Sequence, residues 1–154
     1  MQYTDVDKHE FEPTQNRATR PWTDFQIWSH LPFAAVVVLS IYEKFYEMTL
    51  LVGAVLVSSV IYHLNAEKIN VFSYIDNCTA FTLSMYRNVQ LFFSPSVLIL
   101  CINLTLGLAS ALIFISGYTE KFKPYYNQLH PVGLHILPAA WSTMVVVIQK
   151  PFVF

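Results

Sequence analysis

The sequence predicts an all-α fold, a polytopic membrane helical bundle of about five transmembrane helices. Three observations predict it. Of the 154 residues, 55% are hydrophobic and only 12% are charged, with a mean hydropathy of +0.44. An average soluble domain carries about twice that charge. The apolar residues gather into five runs separated by short polar stretches. Trp22, Trp28, Tyr42, Tyr62, Tyr86 and Tyr118 fall near the ends of those runs, where aromatic rings sit at membrane interfaces. A formal net charge of -1 provides no basic field for collecting phosphates, which excludes nucleic acid as the expected partner.

The elements follow in order. Residues 1–27 form a polar N-terminal arm with five acids (Asp5, Asp7, Glu10, Glu12, Asp24), two prolines and no sustained apolar period. No apolar core follows Met1, so the spans themselves are expected to direct insertion. A membrane domain covers 28–150, and a short tail covers 151–154. The first run, 28–42, spans only ~22 Å as a helix and carries Pro32 in its opening turn. The second, third and fifth runs, 48–64, 69–86 and 132–148, are also short. The fourth, 96–118, comfortably meets the ~20 residues that a ~30 Å hydrocarbon layer requires.

If all five runs cross, Lys8, Arg17, Arg20, Lys68, Lys121 and Lys123 share the arm's side, against Lys44, Arg87 and Lys150 on the other. This bias places the N-terminus in the cytosol, or in the matrix of a mitochondrion. Glu43, Lys44 and Glu47 form a charged turn. Cys78 and Cys101 lie within apolar runs without the paired spacing of a metal knuckle and read as packing thiols. Asn103, Thr105, Gly107, Ala109 and Ser110 make a stripe that lets another helix approach closely.

An ionisable side chain inside a span costs a few kcal/mol and calls for a partner or a function. His63, Asp76, His130 and His135 are such residues, and parity puts all four on the arm's side. Ser59 lies one turn deeper on the face of His63. Three readings stay open. Three neutral imidazoles can hold a zinc ion with one position left for water, whose proton Asp76 accepts. Alternatively, Asp76 pairs with a histidine or caps a backbone while His63 and His130 snorkel to the interface. In the third, two histidines facing each other across a gap ligate a haem.

Residues 29–86, with Ser59-x3-His63 and Asp76 in YIDNCTAF, followed by His130 and His135 in HPVGLHILPAAW, resemble the CREST superfamily of seven-helix membrane hydrolases. That group includes alkaline ceramidases, adiponectin-type receptors and the myomaker group. The resemblance implies that His63, His130 and His135 bind zinc. It also implies that Ser59 and Asp76 position its water for hydrolysis of a lipid amide or ester. Two departures stand against it. Five segments replace seven, and His130 and His135 are five residues apart where the family pair is spaced H-x3-H. On a regular helix that separation turns the two rings about 140° from each other, so they share a metal only across an irregular turn, which Pro131 can supply.

These departures lead to the expected function, a non-catalytic accessory subunit of a larger membrane complex, such as a respiratory assembly of the mitochondrial inner membrane. Its arm would clasp a partner, its helices would pack against other membrane subunits and lipids, and it would need no cofactor. The alternatives are the zinc-dependent lipid hydrolase and a haem-binding anchor.

Overall fold

The computed structural model describes residues 21–65, 70–94, 96–117, 119 and 121–148. The expectations for residues 1–20 of the arm, for Lys68, Tyr118 and Lys150, and for the tail 151–154 fall outside this set. The described chain is helical, and four stretches are long and apolar enough to cross a membrane: Phe25–Tyr42, Tyr46–Leu64, Val97–Ser116 and Gln128–Ile148. The protein is a helical membrane protein.

The first span begins earlier than the sequence reading allowed. Asp24 accepts a hydrogen bond from the Gln26 N–H at 2.8 Å and starts the short helix α1, Phe25–Trp28. Its Ile27 is buried, so the end of the expected arm belongs to the bundle. Ser29 and His30 join it to α2, Leu31–Tyr42, which has Pro32 in its first turn, where the missing N–H goes unnoticed. The α2 helix stops in a Schellman motif: Lys44 N–H donates to Ile41 O at 3.0 Å and Phe45 N–H to Ser40 O at 2.8 Å, with Lys44 at φ 59°.

After that charged turn comes α3, Tyr46–Leu64. A capping box then opens α4, Val71–Phe92: Asn70 accepts from the Phe72 and Ser73 N–H groups, and Ser73 Oγ accepts from the Asn70 N–H. At 22 residues α4 is long enough to cross, but Asp76, Asn77, Arg87, Asn88 and Gln90 keep it below the apolarity of the other four. It extends past the expected end at residue 86 and carries Arg87 inside the helix, buried. The positive-inside count that placed Arg87 in a loop is corrected accordingly. Ser96 caps α5, Val97–Ser116, and α6, Lys123–His130, leads into the last span.

That span is irregular. Pro131–Ile136 is a π-helical turn, with the Leu137 N–H bonded to the Val132 carbonyl five residues back, and α7, Leu137–Ile148, continues from it. Pro131 and Pro138 bracket the turn. Neither donates an N–H, and the Pro138 ring would clash with the carbonyl four residues earlier, so a wider turn relieves what an α-helix could not hold.

The core sits around α7. Trp141, Val145 and Val146 meet Phe33 and Val36 of α2, Met48, Val52 and Val55 of α3, and Leu83 and Leu91 of α4. Polar groups pin the helices together. Arg87 donates to Pro138 O at 2.6 Å and to Ser142 Oγ at 3.1 Å, and its guanidinium lies 4.3 Å over the Trp141 ring. Trp141 Nε1–H donates to Asn103 Oδ1 at 2.8 Å, and Asn103 Nδ2 to Asn88 Oδ1 at 3.2 Å. Gly107 admits the edge of Trp141: a Cβ there would stand 3.2 Å from Cη2. Of the expected stripe on α5, Asn103, Gly107 and Ser110 meet the last span, whereas Thr105 faces outward. The outer face of α5 is apolar, with Leu98, Leu104, Leu108 and Leu112 exposed. Cys78 and Cys101 also face outward, so they are not the packing thiols expected.

A four-histidine candidate metal centre

Four histidines converge where α1, α3, α6 and the π-turn meet. His63 is in the last turn of α3, and His130 ends α6. His135 lies in the π-turn, and His30 follows α1. All are buried, at 0% exposure for His63, 1% for His30, 3% for His135 and 7% for His130. The expectation that His63 and His130 reach for the membrane interface is therefore corrected.

The π-turn brings the last pair together. With i→i+5 bonding the π-turn winds less tightly than an α-helix, so His130 and His135 lie toward one face instead of diverging. Their Nε2 atoms are 3.2 Å apart, and His63 Nε2 is also 3.2 Å from His135 Nε2. The irregular turn that the five-residue spacing requires is present.

Hydrogen bonds assign two tautomers. His30 Nδ1 lies 2.8 Å from Gln26 O and 3.2 Å from Ile27 O. Carbonyls only accept, so His30 Nδ1 carries the proton and Nε2 keeps a lone pair. His135 Nδ1 lies 2.5 Å from Ser29 Oγ, and that hydroxyl donates to Gln26 O at 2.7 Å. The Ser29 proton being so engaged, His135 Nδ1–H donates to Ser29, and His135 Nε2 also presents a lone pair. His135 Nε2 thus offers one in-plane lone pair to two imidazole nitrogens at 3.2 Å.

These donors are spaced as the ligands of a cation are. Tetrahedral zinc, with Zn–N near ~2.1 Å, sets neighbouring nitrogens ~3.4 Å apart, close to both observed separations. The ligand atoms of His30, His63 and His135 all lie within 4.8 Å of one another, and His130 is outside that set, reaching it through His135 at 3.2 Å. Each of His30 and His135 gives its other ring N–H to an oxygen, the outer-shell bond that metal-ligating histidines make.

The remaining predicted residues lie on α3 and α4. Ser59 is buried one turn before His63. Asp76 is half-buried and is brought against Ser58, whose Oγ donates to Asp76 Oδ1 at 3.4 Å and meets Thr79 Oγ1 at 2.8 Å. Ser58 and His30 were not singled out in the sequence. His30 carries the same signal as His63, because an ionisable group at the arm-side end of the first run lies at the depth of the other three.

No protein-family model, no curated protein and no solved structure matches this chain.

Proposed function

We propose that this protein is a membrane-embedded, zinc-dependent hydrolase of a lipid amide or ester. The observation that carries the reading is the buried convergence of His63, His130 and His135, with both neighbouring Nε2 atoms 3.2 Å from His135 Nε2. It agrees with the CREST resemblance at the very residues that carry that resemblance, and the π-turn answers the spacing that spoke against it. Zinc held by these three would supply a Lewis acid and an activated water. Asp76 Oδ1, with Ser58 Oγ–H donating to it, is the carboxylate assigned to take the proton of that water. The donors converge on a point and leave no slot for a porphyrin plane, which favours an ion over haem.

The test uses the full chain purified in mild detergent, with metal analysis and release of fatty acid from lipid amides and esters. One zinc per chain is expected, lost together with hydrolysis in His63→Ala and His135→Ala. A wild-type chain that takes up no stoichiometric metal, even when offered zinc, overturns the reading.

A second reading, the accessory subunit of a larger membrane assembly such as one of the mitochondrial inner membrane, is favoured by α5, whose described residues bury only Asn103. Such a helix presents nearly all of its surface to lipid or to other subunits. Migration within a larger native assembly, without bound metal, is the result that selects it.

A further inference from the structure

Resting on the zinc reading above, we propose that His30 is a fourth ligand, closing the coordination shell that the other three histidines leave open. His30 is buried, at 1% exposure, yet its Nε2 has no hydrogen-bond partner among the described residues. A buried ring nitrogen left bare has lost its water without a replacement partner, and a cation at the centre supplies one. The lone pair is on the correct atom, because Gln26 O and Ile27 O hold the proton on Nδ1. The ring is also within reach: the ligand atoms of His30, His63 and His135 all lie within 4.8 Å of one another.

Four protein ligands make a closed zinc site, whereas three leave a position for water. His30 therefore holds in the resting protein the position that hydrolysis needs vacant. It is the ligand placed to yield that position. It stands outside the regular part of its span, between α1 and α2. Among the described residues it is also the one ionisable side chain that lines an open apolar groove of about 200 Å³, alongside Trp28, Leu31, Ala34, Leu56 and Val60, which none of the other three histidines lines.

Cobalt substitution in the full chain reads the shell without relying on turnover. The wild-type visible spectrum is expected to be insensitive to added azide, which needs a vacant position. His30→Ala and the closer-sized His30→Gln should retain cobalt, respond to azide, and release the ion to a chelator at least ~10-fold faster. Azide shifting the wild type as strongly as both variants overturns the role of His30 while leaving the three-histidine centre intact. A wild type that binds no cobalt and no zinc overturns both. If His30→Ala fails to fold, His30→Gln decides.

Discussion

Ser29 Oγ stands 2.5 Å from His135 Nδ1, joining residues 106 positions apart in the chain. That contact ties the start of the first span to the π-turn of the last and fixes which nitrogen of His135 faces the centre. Ser29→Ala removes the acceptor. The expected outcome is a 10–100-fold loss of zinc affinity with one site per chain retained, measured by competition with a chromogenic chelator.

Gly133 lets the π-turn lie against α5. A methyl there would overlap Ile113, and Ser110 Oγ donates to Gly133 O at 3.3 Å from the same helix. Gly133→Ala is expected to cost about 1–3 kcal/mol. The double variant Gly133→Ala with Ile113→Val should recover part of that loss, a coupling that thermal unfolding in detergent measures.

Arg87 is a buried cation that places its guanidinium against Pro138 O, Ser142 Oγ and the Trp141 ring. Arg87→Met is expected to lower stability by about 2 kcal/mol through loss of the charged hydrogen bonds. Arg87→Lys should fail to restore it, since an ammonium lacks the planar fork that reaches two acceptors while stacking on indole. Unfolding midpoints of the two variants against wild type check this.

Lys44 adopts φ 59° at the end of α2, a conformation that costs a residue with a Cβ about 1 kcal/mol. Lys44→Gly should raise the thermal midpoint, because glycine carries no such penalty in a Schellman turn. Metal content should be unchanged, as the turn joins the far ends of α2 and α3 from the histidines.

Much of this architecture was legible before the fold was known. Apolar runs located the long helices to within a few residues, because lipid demands continuous hydrophobicity and an internally bonded backbone. The depth argument found His63, His130 and His135. Arg87 escaped because α4 continues through residues whose polarity resembles a loop, and only packing against α7 shows why an arginine belongs there. His30 escaped because it lies in the opening turn of the first run, where a polar side chain reads as a helix end. The outward orientation of Cys78 and Cys101 depends on helix rotation, which weakly amphipathic membrane helices do not encode in their pattern.

The turn at Pro131–Ile136 also bears on how spacing is read in any sequence. Widening one turn absorbs an added residue locally, and the side chains on either side return to register. H-x3-H on an α-helix and H-x4-H across a π-turn therefore present the same donor pair. A pattern search for paired histidines that fixes the gap at three discards such chains, whereas one that admits a gap of four when a proline follows the second histidine three positions later, as Pro138 follows His135, retains them.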